Sequence, residues 1–374
     1  MKIDIQKAEQ KLISILPDDV KKLSSIFNEN NFKLFLVGGC VRDVLVGKDP
    51  KDFDVCTDAM PDQVIELLTK NNIRNQLQGE AFGVVVARMS EDFEVATFRT
   101  DISANNGKNS EDSVILGVTI DEDVKRRDLT CNALFLDIET GKIIDLVGGI
   151  KDIEDEIIVT VGNPEDRFKE DNLRKLRTIR FANRLGFKIH SDTFNAIKKD
   201  ASLNVSSERI VNELKTSFDS CKNIDILISD LIDSKLIFEI FKDSFINTFA
   251  SSDNIFSFTS FIAELLDDSD SINKHKSLES LLIDTKLPSK LINGVIFLLE
   301  GHKLNIINFM KKLKSVDLTD EEIITFHKES NINIEKWCKF KIPSDLSTDL
   351  MNKGFKGKEL GDEILSICNN ILNN

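Results

Sequence analysis

The apolar run Phe32-Lys33-Leu34-Phe35-Leu36-Val37 ends on Gly38-Gly39 and gives way to Cys40-Val41-Arg42-Asp43-Val44-Leu45. A short strand that meets two glycines and then a helical pattern forces a sharp strand-to-helix turn, with backbone left open to close approach. A short loop later the chain reads Lys51-Asp52-Phe53-Asp54-Val55. Strand side chains alternate, so Asp52 and Asp54 share one face while Phe53 turns to the core between them. Two carboxylates side by side ask for a divalent cation. Arg42 answers negative charge, and Gly38 and Gly39 let backbone N–H groups cradle phosphate oxygens. Together they point to a metal-bound polyphosphate. Taken singly, Asp-x-Asp also suits a solvated strand edge, and a Gly-Gly turn is common; the order and spacing carry the reading.

Around that turn the pattern is mixed. Residues 5–30 read as one or two amphipathic helices, with Pro17-Asp18-Asp19 as a helix start. Phe53–Val55 reads as strand, and Pro61–Lys70 as a helix opened by Asp58. Val84–Arg88 and Phe93–Phe98 are strands joined by Ser90-Glu91-Asp92, a hairpin signal. Glu94 on the second of these is the obvious third carboxylate. Ile102–Asn109 is a polar loop, and Leu134–Ile138 and Lys142–Asp145 are strands joined across Glu139-Thr140-Gly141. From Pro164 the pattern is helical almost to the end, with no repeat of 20–50 residues. The expected fold class is α+β: a mixed-sheet head followed by an all-α neck, body and tail, divided at 1–155, 156–217, 218–315 and 316–374.

Composition bounds the function. No run of about 18 apolar residues is present to span a membrane, and Met1–Lys7 lacks a secretion signal. Six cysteines without a Cys-x-x-Cys pair argue for reduced, mostly buried thiols in a cytoplasmic setting, and against structural zinc. The net charge of −14 is unusual for a nucleic-acid binder. It conceals a local surplus: from Pro164 to Ser217 twelve Lys/Arg face eight Asp/Glu.

Leu36-Val37-Gly38-Gly39-x-x-Arg42-Asp43-x-Leu45 with Asp52-x-Asp54 resembles the head motif of class II CCA-adding enzymes and bacterial poly(A) polymerases, within the polymerase-β nucleotidyltransferase superfamily. Arg126-Arg127-Asp128-Leu129-Thr130-Cys131-Asn132-Ala133 is similar to their Arg-Arg-Asp-x-Thr-x-Asn-Ala segment. Asp145-x-x-Gly148-Gly149-x-x-Asp152 resembles the hinge motif. Glu170-Asp171-x-x-Arg174-x-x-Arg177-x-x-Arg180-Phe181 resembles the neck helix, and Ser207-Glu208-Arg209-Ile210-x-x-Glu213-Leu214 the helix after it. Five motifs stand in the family's order over residues 36–214. Beyond 220 only Gly354–Gly361 resembles the family.

The resemblance implies transfer of CMP and AMP from CTP and ATP to the 3′ end of tRNA, dependent on Mg²⁺. Asp52 and Asp54 would be the metal ligands, with Glu94 beside them as a catalytic carboxylate. Asp128 and Asn132 would contact the ribose, Arg127 the phosphates, and Arg177 and Arg180 the triphosphate or primer backbone. Asp171 and Arg174, three apart on one helix, would read the base. Cytosine and adenine both offer an amino donor beside a ring-nitrogen acceptor; a carboxylate and a guanidinium complement that pair. Uracil and guanine reverse it and leave groups unpaired. Glu170 lies about 100° round the helix from Asp171 and is expected to matter little. Without the other motifs, Glu170–Arg180 would suit an exposed helix laced with ion pairs.

Gly79–Val85 resembles the CCA-adding version, since poly(A) polymerases carry an arginine-rich segment there. The polar loop between Arg99 and Arg126 corresponds to the segment the family needs for the terminal A. Full CCA addition is therefore expected. Addition of A alone and poly(A) synthesis are the alternatives, and a catalytically inactive RNA-binding module is a different class. His190, His275, His302 and His327 form no cluster and none precedes Asp, against an appended phosphohydrolase domain. Trp337 reads as packing. Lys353, Lys356 and Lys358 would extend the tRNA surface begun by Arg174–Arg184.

Overall fold

The computed structural model describes residues 2–78, 83–101, 114–241, 262, 289–300, 304, 306–314, 316, 318–320, 323–324 and 334–373. The segment 79–82, the loop 102–113 and three of the four histidines (His275, His302 and His327) lie outside the described residues. The chain forms two compact units, Met1–Val205 and Ser206–Asn374.

The first unit opens with α1 (Ile5–Ile15) and α2 (Asp18–Glu29), then β1 (Leu34–Val37), α3 (Gly39–Leu45), β2 (Val55–Thr57) and α4 (Pro61–Lys70). Next come β3 (Arg74–Gln78), β4 (Val84–Arg88), β5 (Asp92–Thr97), β6 (Arg99–Asp101), β7 (Val114–Leu116) and α5 (Ile120–Lys125). A 3-10 turn at Thr130–Asn132 leads to β8 (Leu134–Asp137), β9 (Lys142–Asp145), α6 (Gly149–Glu154) and β10 (Ile157–Ile158). The unit closes with α7 (Pro164–Glu170), α8 (Leu173–Leu185), β11 (Lys188–Ile189) and α9 (Ser191–Lys199).

Seven strands form one mixed sheet in the order β3-β4-β5-β2-β1-β8-β9. All neighbours are antiparallel except β2 and β5, which run parallel with Val55 opposite Val95. Strand β1, between β2 and β8, is apolar throughout because both its faces are covered. Leu34 and Leu36 join the larger core with α1–α4 and the end of α8, whereas Phe35 and Val37 join a second core with Cys56, Phe98, Val124 and Phe135. Phe35, Phe98 and Phe135 meet ring to ring at 5.5 and 6.2 Å.

Three local expectations change. The ladder of β2 starts at Val55, so Asp52 and Asp54 sit on its extended approach; Val37 N–H still donates to the Asp54 carbonyl at 3.0 Å. Helix α4 is opened by Pro61, with the Gln63 side chain accepting from Met60 N–H at 2.8 Å; Asp58 instead accepts from Lys33 N–H. The neck helix is broken at Asp171-Asn172. Asp171 is extended (φ −148°, ψ 107°) and its Oδ1 accepts from Leu173 N–H at 3.0 Å, a local bond that competes with helix continuation.

The second unit is helical among its described residues: α10 (Ser207–Ser220), α11 (Ile224–Asp233), α12 (Leu236–Phe241), α13 (Ser289–Glu300), α14 (Ile306–Leu313), α15 (Ile334–Lys339), α16 (Leu346–Asn352) and α17 (Gly357–Asn373). Trp337 packs edge-on to Phe309 at 5.2 Å, and Phe309 lies 4.9 Å from Phe297, so the indole is part of a core. Among the described residues no helix is long and apolar enough to cross a membrane.

Candidate active site

The parallel pairing of β2 with β5 places the carboxylates. Val55 and Val95 are opposite and buried in the larger core. Their predecessors Asp54 and Glu94 are therefore level, on the other face of the sheet, with neighbouring strands about 5 Å apart. Both are exposed. The Asp54 carboxyl is pushed above its ordinary range by its close surroundings, then by the charges of Glu94 and Asp52, with Arg127 pulling the other way. Asp52 is exposed and lies beyond the last backbone bond to β1. Among the described residues no three His, Cys, Asp or Glu side chains are gathered tightly enough to hold a metal. The donor set still fits a hard divalent cation. It is all carboxylate oxygen, and mutual repulsion raises Asp54 in a way that a cation would relieve.

Gly38 has φ 73°, a conformation costly for other residues, and donates its N–H to the Leu134 carbonyl at 2.9 Å. A Cβ there would meet the Asn132 carbonyl at 3.4 Å, and one on Gly39 the Arg42 guanidinium at 3.7 Å. The turn is thus packed against the Asn132 main chain and the Arg42 side chain. The Cys40 thiol, which follows it, is pushed up to about 12 by burial and by the Asp54 charge.

Arg42, expected as a charged clamp, is enclosed by partners of its own. It is 2 % exposed. Its Nε and Nη2 donate to Asp43 Oδ1 at 2.9 and 2.6 Å, Nη1 donates to Asn132 Oδ1, and the guanidinium lies 5.1 Å from the Phe181 ring. Buried Asp43 also pairs with Arg184 at 3.4 Å. Arg42 therefore ties the glycine turn to the 3-10 turn. Asn132 continues the chain by donating to Asp128 Oδ1 at 3.3 Å, and Arg177 Nε donates to Asp128 Oδ2 at 2.8 Å. Burial works to raise the Asp128 carboxyl, but the Arg177 charge and these hydrogen bonds outweigh it and hold it below its usual range. Arg177 and Arg180 lie 5.5 and 4.3 Å from the Phe181 ring, and Arg180 is 7 % exposed. These arginines form a cationic wall organised around Phe181.

Arg127 lies over Phe135 at 4.7 Å, on the carboxylate face, and donates twice to Asp123. Arg174 is the second residue of α8, while Asp171 precedes that helix, so the two do not share a helical face as expected. Arg174 Nη1 donates to Glu170 Oε2 at 2.6 Å and Nη2 to the Arg126 carbonyl at 2.8 Å. Glu170 also accepts from Arg167. Glu170, expected to matter little, is the carboxylate partner of Arg174 at i,i+4 spacing. Asp43 stands in the head motif but was given no role by sequence, and Asp123 was not singled out. Asp123 was detectable in principle, since it stands three and four residues before Arg126 and Arg127 in a helical pattern.

The sequence matches the family model "Poly A polymerase head domain" over residues 34–159 and "Probable RNA and SrmB- binding site of polymerase A" over residues 186–244. A CCA-adding enzyme of Ligilactobacillus salivarius is 41 % identical over 204 residues, covering 53 % of this chain and 49 % of that protein. Poly(A) polymerase I of Escherichia coli O6:H1 is 38 % identical over 200 residues, covering 50 % and 42 %. The chain spans about half the length of the curated relatives it matches. The crystal structure of the Bacillus stearothermophilus CCA-adding enzyme in complex with CTP aligns with TM-score 0.69 at 22 % identity, over 94 % of this chain and 91 % of that one, which establishes the α+β fold. The head model thus spans β1–β10 and the second model residues 186–244, and in both stretches the chain is similar to the CCA-adding enzyme and poly(A) polymerase family.

Proposed function

We propose that the protein is a CCA-adding tRNA nucleotidyltransferase, transferring CMP, CMP and AMP from CTP and ATP to the 3′ end of tRNA. The observation that carries this reading is the level pairing of Asp54 with Glu94 on the sheet face shared by Arg127. The 3′-oxygen forms a bond to the α-phosphorus, the bond from that phosphorus to the bridging oxygen breaks, and pyrophosphate leaves. Mg²⁺ held by Asp52 and Asp54, with Glu94 beside them, would supply activation of the attacking hydroxyl and charge neutralisation of the leaving group.

The chain's own residues supply position. Arg127 grips the triphosphate from its seat on Phe135. Asp128, just before the 3-10 turn, and Asn132, within it, face the ribose, and Arg42 secures that turn to Gly38-Gly39. Arg177 and Arg180 extend the cationic wall toward the primer backbone. Arg174 donates to the ring nitrogen of cytosine or adenine and Asp171 accepts from the amino group, so uracil and guanine leave buried groups unpaired. Residues 1–155 serve as catalytic head, 156–217 as base-reading neck, 218–315 as body and 316–374 as a tRNA-binding tail, in a cytoplasmic protein. Full CCA addition is preferred to poly(A) synthesis because Gly79–Val85 lacks an arginine-rich segment.

The test is incubation of the chain with CTP, ATP, Mg²⁺ and a tRNA lacking its last three nucleotides. Growth by three residues ending in A supports the reading. Growth only on a tRNA already ending in CC assigns the A-adding alternative. A long A tail assigns poly(A) synthesis, and no growth on either tRNA overturns the enzymatic reading.

A further inference from the structure

Asp123, within α5, carries more of the site than its position outside every motif indicates. Its side chain is 1 % exposed. Oδ2 accepts from Arg127 Nε at 3.0 Å and Nη2 at 2.8 Å, while Oδ1 accepts from Arg126 Nε at 2.9 Å and from Arg99 N–H at 3.1 Å. One carboxylate thus fixes two consecutive guanidiniums and the start of β6. Charge-assisted bonds of this kind orient as well as attract.

The turn that Asp123 fixes is also the seat of the neck arginines. The Lys125 carbonyl accepts from Arg167 Nη1 at 2.6 Å, and the Arg126 carbonyl from Arg174 Nη2 at 2.8 Å. On their other side both arginines meet Glu170. Arg174 is therefore held between a head carbonyl and a neck carboxylate. Moving the Arg126 main chain moves the donor that reads the base.

We infer that Asp123 is a positioning residue for nucleotide selection, acting through Arg127 on the triphosphate and through the Arg126 carbonyl on Arg174. The inference rests on the function proposed above. Its distinctive consequence is coupling: one buried carboxylate sets both the grip common to all nucleotides and the choice among them. A carboxylate serving the fold alone would affect stability and leave that choice intact.

Calorimetric titration of the full chain with CTP, ATP, UTP and GTP, each with Mg²⁺, tests this without requiring turnover. In Asp123→Asn an amide N–H faces a guanidinium that the carboxylate had accepted. Affinity for all four nucleotides should fall, and the preference for CTP over UTP and ATP over GTP should drop about tenfold, within the usual range of coupling between sites. The ratios are insensitive to an inactive fraction, so partial misfolding cannot imitate the result. Asp123→Glu keeps the charge but displaces the turn, and should lower the same ratios less. If Asp123→Asn does not fold, Asp123→Glu decides. Wild-type affinities and ratios in the folded variants overturn the inference while leaving the proposed function standing. A wild-type protein that binds no nucleotide overturns both.

Discussion

Gly149 opens α6 beside the 3-10 turn, and replacing it by alanine is the most direct test of how that turn is held. A Cβ on Gly149 would lie 2.2 Å from the Thr130 carbonyl oxygen, 2.8 Å from its carbon and 3.1 Å from Leu134 Cδ2. Neither side yields easily. The N–H groups of Val147, Gly148, Gly149 and Ile150 all donate to the Asp145 carboxylate at 2.8–3.2 Å. The Thr130 N–H donates to Val159, its carbonyl accepts from Ala133, and its hydroxyl donates to Asp152 at 2.6 Å. Relief requires roughly 1 Å of main-chain movement, at the upper end of overpacking costs, about 3 kcal/mol. Alanine recovers up to about 1 kcal/mol of helix propensity. The net loss of about 2 kcal/mol should lower the Tm of a unit this size by about 4–8 °C. Trp337 is the sole tryptophan and tyrosine is absent, so calorimetry rather than fluorescence should follow the first unit. Gly361→Ala is the control: it sits inside α17 with nothing within 4 Å of its added Cβ, and should gain about 0.5–1 kcal/mol in the second unit. Gly149→Ala as stable as wild type would refute the rigidity assigned to the turn.

Asp52→Ala or Asp54→Ala should abolish incorporation of both CTP and ATP while leaving the calorimetric transitions in place; near-wild-type turnover in either would remove the carboxylate site. Arg174→Ala should cost about 1–3 kcal/mol of selectivity, roughly ten- to hundredfold in kcat/KM for CTP against UTP, whereas equal loss across four nucleotides would mean it serves phosphate alone. Glu170→Ala should lower the same ratio, since it removes the 2.6 Å partner of Arg174; an unchanged ratio would contradict that placement. Burial and then the Asp233 charge push the Asp230 carboxyl on α11 from 3.8 to about 6. The folded form holds that proton more tightly than the unfolded chain, so stability falls as pH rises from about 4 to about 6 and stays lower above. Asp230→Asn should therefore raise the Tm at pH 7.5 by about 2–4 °C, taking about 1 kcal/mol after screening, and the gain should vanish below about pH 4. Deleting 105–111 should retain addition of CC and lose the terminal A, read on sequencing gels; complete CCA ends would reject the loop's role.

Elements whose residues themselves carry the apolar pattern were legible in sequence. Helix α4 and strands β4 and β9 occupy the spans their patterns mark, Pro61–Lys70, Val84–Arg88 and Lys142–Asp145. Strand β3 was not seen because Arg74-Asn75-Gln76-Leu77-Gln78 has no apolar face; it is an edge strand held by its ladder to β4. The site divided in the same way. The Asp54–Glu94 match follows from strand periodicity once β2 and β5 pair. The seat of Arg42 depends on Asp43 and Asn132, the latter 90 residues away, and no local pattern discloses a partner at that distance. Asp171 and Arg174 fail to share a helical face because the bond from Leu173 N–H to the Asp171 side chain stops a helix that spacing alone would continue.

The place of β1 in the interior of the sheet also sets a timetable for synthesis. All four of its residues are buried, and its two neighbours are β2 and β8. The first follows soon after it, but the second lies about 100 residues further along. At about 5–20 residues per second, a nascent chain holds one edge of its most apolar strand unpaired for about 5–20 s. During that interval the edge is a template for any other extended segment. Slow translation lengthens the exposure, and a polypeptide halted before Leu134 never ends it.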